Sequence, residues 1–569
     1  MTREMDAMNT AMPIGRDDFA DVRRGGYYFV DKTNVIKQLI TKPPAVTLFT
    51  RPRRFGKTLL LSMLRYFLDV EGAEEHRKLF DGLAVANDAE TMAQQGSRPV
   101  LFLTLKEWKT HTWDTMQQVI MDALGQAFDE HEYLLRAGSV TRRERMIFEK
   151  IQFGEANLVT CRTALAFLLR LMEKYYGKKP VLLFDEYDVP IQQAWEHGFY
   201  DDAIDFFREF LSSALKTNPS LDFAILTGVL RISKESIFSD LNNLDVDSVL
   251  QMKYPEAFGF TPNEVAKIAS DLGSRDKLPE LRAWYDGYRF SDQEIYNPWS
   301  VLQYFHHGCI PAPYWVNTSG NMILGELLRH TDQAHMEELE GLLLGESIQS
   351  RLHEGVVYSD IKDDEESLCT MLCLTGYLTV ESKRRVGNAD IYSLRLPNRE
   401  MQALFGTEIL RRFPRAFNQS SLVRLMEAFL DGDLPQVQEG LSRYLEVLAS
   451  TFDTGKEKES FYHGFVLGMT ALLVPDYEVR SNRESGRGRY DVAVFPKDTE
   501  KAGMVLEFKT AETEDALEKK AQEALAQIEE RGYDAEFRAR GVGVVRKYGI
   551  AFCGKTVCVK FENAGHADA

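Results

Sequence analysis

Short runs of consecutive apolar residues punctuate the first half of the chain. Residues 46–49 (VTLF) are β-branched and aromatic, and 59–69 (LLLSMLRYFLD) carry apolar residues at helical spacing. A strand, a tight turn and a helix are expected there. Further apolar strands are read at 99–105, 180–184 and 222–227, with an apolar helix over 162–176. Strands that are apolar on both faces and separated by helices argue for a parallel α/β sheet covered on both sides.

The pattern changes after residue 255. Helical spacing at 263–272 and 278–285 gives way to aromatic-rich loops (WYDGYRF, IYNPWS, YWVNTSGN). Residues 365–375 read as a helix, and two alternating stretches, GYLTV and DIYSLRLP, flank a turn at 384–388. A helix followed by a hairpin is a winged-helix-like pattern. Helices are expected at 399–411 and 420–431, and the polar stretch 451–459 (TFDTGKEKE) reads as a linker. Beyond it come a helix at 461–474, strands at 490–495, 503–509 and 541–553, and a charged helix over 512–531. The changes divide the chain into 1–255, a mainly helical middle region 256–450, and a smaller α/β domain 451–569.

Composition narrows the class. A chain of 569 residues is too long for one hydrophobic core. With 44% hydrophobic and 27% charged residues it is neither disordered nor fibrous. Sixty-eight basic against 86 acidic residues leave a formal charge of −18, so nucleic-acid contact has to come from a local basic patch. Six cysteines include no CxxC pair, so reduced thiols are expected and structural zinc is not. The first eighteen residues have no apolar core, and the longest apolar run, 466–475, is far short of the roughly 20 residues a bilayer requires. A cytoplasmic protein without a membrane partner is expected.

RPRRFGKT (51–58) follows the first strand and opens a helix. It fits the phosphate-binding pattern GxxxxGK[ST] except that Arg51 stands where the first glycine would be. In such a loop the backbone N–H groups of Arg51, Arg53, Arg54, Phe55 and Gly56 cradle phosphate, Lys57 reaches the β- and γ-phosphates, and Thr58 ligates Mg2+. VLLFDE (181–186) is an apolar strand ending in two acids, with Asp185 placed to hold Mg2+ and Glu186 to act as base for an attacking water. Thr227 ends a later strand and is a candidate γ-phosphate sensor. Arg231 is either an arginine finger or one more surface arginine.

These segments, with IGRDDFADVRRGGYYFVDKT (14–33), LLFDEYDVPI (182–191), TGVLRISKESIFSDLNNL (227–244), WYDGYRF (284–290) and YNPWSV (296–301), resemble the AAA-ATPase-like family of bacterial proteins. The resemblance covers roughly 14–320. It implies a P-loop NTPase fold and ATP binding at 51–58 and 185–186, and that family's own loop also begins Arg-Pro-Arg-Arg.

A second constellation lies near the C-terminus. Glu507 and Lys509 are two apart on an expected strand and therefore share a face, which Asp491 on the neighbouring strand can reach. Two carboxylates suit a hard divalent cation, and the lysine suits orienting a water or offsetting charge. This is the D…ExK arrangement of the PD-(D/E)XK nuclease superfamily, with Tyr490 where the name has proline. SFYHGFVLGM (460–469) and SNRESGRGRYDVAVFP (481–496) also resemble that superfamily, over about 459–535. The resemblance implies a restriction-endonuclease-like fold and an acidic residue on the first helix. Glu459 is the candidate and Glu484 the weaker alternative. Arg480, Arg483, Arg487 and Arg489 form a basic island before the metal site, while Gln527 is expected on a solvated helix face and His463 in a core.

The sequence thus reads as an ATPase, with ATP and Mg2+, fused to a metal-dependent nuclease acting on nucleic acid, DNA in the first instance, in defence or mobile-element biology. Finger arginines often act between subunits, so a homo-oligomer is an expectation. The competing reading is a nucleotide-dependent switch whose C-terminal domain binds nucleic acid without cleaving it.

Overall fold

The computed structural model describes residues 11–232, 243–315, 338, 341–355, 364–410, 419–451, 468–469, 472–473, 476–481, 484–485, 488–489 and 491–565. Contacts group the chain into two compact units, Met1–Tyr314 with Ser350–Tyr392, and Trp315–Gln349 with Ser393–Ala569.

The first unit is built on five strands: β1 (Val46–Thr50), β2 (Val100–Thr104), β3 (Val181–Asp185), β4 (Ala224–Gly228) and β5 (Leu244–Asp247). Their order is β2-β3-β4-β1-β5, and every neighbouring pair is parallel. Every residue of β1, β3 and β4 is buried, as runs apolar on both faces require. The strand between β1 and β3 in space is β4, whereas β2, which lies between them in sequence, takes the sheet edge. Helix α1 (Lys57–Leu68) starts at Gly56, whose φ of 90° glycine adopts without a Cβ penalty. It buries Leu60, Leu61, Leu64, Phe67 and Leu68 in a core shared with Phe49, Val181 and Ile225. A second helix, α2 (Val189–His197), begins directly after Asp188 with Pro190 in its first turn, where the missing N–H loses no helical bond.

The helix and strands of the winged-helix-like segment form at Glu365–Leu374, Thr379–Val386 and Ala389–Arg395. The expected turn at 384–388 shrinks to Gly387 and Asn388, because residues 384–386 continue the strand and Gly387 takes a φ of 61°.

In the second unit the strands β6 (Tyr477–Ser481), β7 (Val492–Pro496), β8 (Gly503–Thr510), β9 (Val544–Cys553) and β10 (Thr556–Gly565) lie in that order. All neighbours are antiparallel except β8 and β9, which are parallel and joined through helix α3 (Leu517–Arg531). Alternation sorts the faces. Val492, Val494, Met504 and Leu506 face a core with the helices Gln419–Asp431 and Leu434–Thr451, while Ala493, Phe495 and Val505 face Leu525 and Ile528 of α3. Tyr548 Oη donates to the Phe429 carbonyl at 2.6 Å, and the Gln438 amide bonds the backbone of Val557 and Val559 in β10. The helices before residue 451 and the strands after it therefore share one core. Most of the helix expected over 461–474, and the linker 452–459, fall outside the described residues. No helix of the described residues is long and apolar enough to cross a membrane.

Candidate active sites

The parallel order sets the C-terminal ends of β1, β3 and β4 side by side. Asp185, at the end of β3, is fully buried and both its oxygens are held. Thr58 Oγ1 donates to Oδ2 at 2.8 Å and Thr227 Oγ1 to Oδ1 at 2.6 Å. Thr58 and Asp185, on α1 and β3, are thus adjacent, as shared ligands of one Mg2+ must be. Lys57 is buried, and its Nζ donates to the Arg51 and Pro52 carbonyls at 3.0 Å each. Burial lowers its pKa, against the opposing pull of Glu186, Asp188 and Asp185.

Glu186 has a φ of 54°, a left-handed conformation costing a non-glycine residue roughly 1–3 kcal/mol. Its N–H donates to Thr227 Oγ1 at 3.3 Å, and burial raises the carboxyl pKa while Lys57 opposes the rise. Asp188 Oδ2 accepts from the N–H groups of Val229 and Leu230 at 2.8 and 2.9 Å, tying the ends of β3 and β4 together.

The residue in the first-glycine place does something other than bind phosphate with its side chain. Arg51 is fully buried, ion-paired with Asp247, and donates to the Thr50 and Asp247 carbonyls at 2.9 and 2.8 Å. Its guanidinium lies 4.8 Å from the Phe258 ring and 5.6 Å from Phe290. The loop's positive φ values fall at Arg54 (67°) and Gly56 (90°), so an arginine at 51 meets no backbone penalty. Removing one partner of a buried pair leaves the other charge uncompensated. Asp247→Ala is therefore expected to destabilise the first unit by about 3–5 kcal/mol, read as a lowered thermal midpoint of its unfolding.

The aromatic segments that accompany the loop in sequence form its wall. Phe55 packs 5.2 Å from Tyr288 and 5.1 Å from Phe290, and its carbonyl accepts from the Gly259 N–H at 3.2 Å. The Arg54 guanidinium stacks 3.9 Å over Trp299, and Arg53 Nη2 donates to Gln192 Oε1 at 3.0 Å. Arg231, just past β4, is 3.7 Å from the Glu354 carboxylate.

In the second unit the register of β7 and β8 pairs Val492 with Leu506, and continuing it sets Asp491 opposite Glu507. Asp491 Oδ2 accepts from the Phe508 N–H at 2.7 Å. Glu507 is buried, and its Oε2 has no hydrogen-bond partner among the described residues. Lys509 Nζ is 3.5 Å from Glu507 Oε1 and donates to Gln527 Oε1 at 2.6 Å, while Gln527 Nε2 donates to Glu507 Oε1. Gln527 is therefore no solvated helix residue. It is reached because Gly549, opposite Glu507 on β9, lets α3 pack against the strand: a Cβ there would stand 2.3 Å from the Ala521 carbonyl oxygen.

A buried carboxylate oxygen without a partner, beside a second carboxylate, fits a divalent cation held by Asp491 and Glu507. Among the described residues no group of three His, Cys, Asp or Glu forms a metal cluster. Glu459, the third candidate ligand, and His463 lie outside the described residues, as does the side chain of Glu484.

Burial, reinforced by Asp491, pushes the Glu507 carboxyl up to about 7. Metal binding must then displace a proton below that pH. Mn2+ affinity is expected to fall by up to roughly tenfold per pH unit below 7 and to level off above 8, checked by calorimetry in buffers of different ionisation heat. Without metal the sign for stability is the reverse. The folded unit binds this proton more tightly than the unfolded chain, so stability declines as pH rises from about 4.5 to about 7.

The basic island is smaller than the sequence suggests. Arg480 is paired with Glu478 and Glu536, both at 2.5 Å, and with Arg540 it flanks the Phe495 ring. The side chains of Arg483, Arg487 and Arg489 lie outside the described residues.

Comparison with known proteins follows the same division. Residues 13–238 match a family model described as Predicted AAA-ATPase, and residues 457–562 match one of the PD-(D/E)XK nuclease superfamily. These are the two families the motifs resemble. A protein of Azotobacter chroococcum mcd 1, described as an uncharacterized protein in the vnfD 5′ region, is 29% identical over 540 residues, spanning 93% of this chain and 94% of its own length. No solved structure matches. The chain thus joins an AAA-ATPase-like domain to a PD-(D/E)XK domain, and its matched regions hold Lys57, Thr58, Asp185 and Glu186 in the first and Asp491, Glu507 and Lys509 in the second.

Proposed function

We propose that this chain hydrolyses ATP in its first unit and cleaves phosphodiester bonds of DNA in its second. The observation that carries the nuclease reading is the buried, unpartnered Oε2 of Glu507 beside Asp491, with Lys509 and Gln527 bridged on its other oxygen. A decayed site would have no reason to retain so unfavourable a carboxylate.

In the first unit Lys57 binds the β- and γ-phosphates, and Thr58 and Asp185 hold Mg2+. Glu186 takes the proton of the water whose oxygen bonds to the γ-phosphorus as the bond to the ADP oxygen breaks. Its raised pKa makes it a better base than a solvated glutamate. In the second unit Asp491 and Glu507 hold the divalent cation, which when bound acidifies a water and offsets charge on the scissile phosphate. Lys509, kept in place by Gln527, donates to that water or to a phosphate oxygen. Nucleotide state in the first unit gates the second, and a role in defence or mobile-element biology follows from the pairing by analogy alone.

The test is cleavage of supercoiled plasmid and of single-stranded DNA and RNA with Mg2+, with and without ATP. Mg2+-dependent cutting of DNA supports the reading. Nucleic-acid binding without cutting under every condition replaces it with the nucleotide-dependent switch.

A further inference from the structure

The three arginines of the loop have three different surroundings. Arg51 is buried against Asp247 and Arg54 lies over Trp299. Arg53 instead spans to α2, the helix that starts directly after the acidic end of β3, and meets Gln192 at 3.0 Å. Gln192 is itself held, its Nε2 donating to Glu196 Oε1 at 2.7 Å, and that bond turns its carbonyl oxygen to the arginine. Arg53 therefore stands on the side of the loop occupied by Lys57 and Glu186, and its charge bears on both. The terminal phosphate of a bound nucleotide has to lie between those two groups, because one binds it and the other serves the water that attacks it.

The partner's chemistry also matters. A carboxylate would hold the guanidinium in a strong, charge-assisted pair, whereas a carboxamide oxygen is a neutral acceptor and holds it about half as strongly. Gln192 keeps Arg53 near the site and lets it go to a stronger acceptor, such as a phosphate oxygen gaining charge. Arg231, the finger candidate at the tip of β4, has the opposite arrangement, since its neighbour is the carboxylate of Glu354.

We propose that Arg53 is an arginine finger supplied by the nucleotide's own loop, donating to the γ-phosphate oxygens in the transition state within the same subunit. The proposal rests on the ATPase reading above. Its test uses the full-length chain. Arg53→Ala is expected to lose turnover by at least about 100-fold, given the 10³–10⁵ that fingers supply elsewhere. ATP affinity, measured by calorimetry with Mg2+, stays within about fivefold, because the contact strengthens only as charge develops. Wild-type protein should trap ADP with aluminium fluoride and Mg2+, and Arg53→Ala should not. Arg53→Lys, which keeps the charge but not the planar fork, should also fail to trap.

If Arg53→Ala loses ATP affinity and turnover by the same factor, the arginine is a ground-state ligand and the proposal is overturned. Trapping by Arg53→Ala or Arg53→Lys at the wild-type level overturns it as well. Mixing Arg53→Ala with Glu186→Gln should restore no activity, and recovery in the mixture would place the finger across a subunit boundary instead. A wild-type protein that neither binds nor hydrolyses ATP overturns the ATPase reading itself, an outcome distinct from all of these.

Discussion

Asp491→Ala and Glu507→Ala each abolish Mg2+-dependent cleavage, with an expected loss of at least about a thousandfold, while ATP turnover stays within about twofold of wild type. The argument starts from burial. Glu507 is buried with one oxygen unpartnered, and burial and Asp491 both oppose its ionisation. A divalent cation relieves both penalties at once, so the two carboxylates act as a unit and removing either leaves too few ligands. Glu507→Gln separates charge from shape. It keeps the side chain's volume and a bond to Gln527 but loses the anion, so it should be as inactive as alanine. Lys509→Ala should differ in kind, losing turnover while Mn2+ affinity, measured calorimetrically, is nearly kept, since the amine contacts Gln527 and one oxygen that Gln527 also holds. The substitutions lie in the second unit, whereas Lys57, Asp185 and Glu186 lie in the first. Cleavage that survives in the Asp491→Ala, Glu507→Ala double variant would mean that the activity resides elsewhere or in a contaminant.

The parts of this molecule that sequence reveals are those decided locally. The four apolar strands and the first-turn glycine of α1 are legible because burial on both faces leaves no polar alternative, and Glu507 and Lys509 share a face by strand periodicity alone. β5 was not legible. Its LDVD pattern carries two aspartates, and it joins the sheet because Asp247 has the buried Arg51 to pair with, a partner 196 residues away. The same long-range pair explains why the missing glycine of the loop is no defect. Gln527 was misjudged for a related reason: which face of α3 is solvated depends on how closely it approaches β9, and a glycine at 549 sets that distance. The helix Leu434–Thr451 precedes the polar stretch that reads as a boundary, yet Val437, Leu441 and Tyr444 belong to the core of the C-terminal sheet. A C-terminal piece that keeps its core accordingly begins before Gln419, and one cut within the polar stretch loses a whole layer.

Lys57→Ala and Glu186→Gln should split ATP binding from ATP hydrolysis. The Lys57 ammonium is buried and satisfied by two loop carbonyls, so it is already in place and desolvated before nucleotide arrives. Phosphate oxygens are stronger acceptors than carbonyls, and charge-assisted bonds of this kind contribute about 1.5–3 kcal/mol each. Alanine at 57 is then expected to weaken ATP binding by roughly 30- to 1000-fold, for one or two such bonds together with the lost charge. Glu186→Gln keeps volume, and the backbone bond to Thr227 does not involve the side chain, so the left-handed turn that aims residue 186 survives. What disappears is the proton acceptor, and turnover should fall by about 10²–10⁴ with affinity unchanged or slightly higher. Because burial raises the Glu186 pKa, wild-type turnover should also decline on the acid side at a higher pH than a solvated carboxylate would give, and this limb should be absent from the residual rate of Glu186→Gln. Calorimetric ATP binding and steady-state phosphate release on the three proteins decide the matter. Equal affinity in wild type and Lys57→Ala would remove the loop from the site, and equal turnover in wild type and Glu186→Gln would leave the base unidentified.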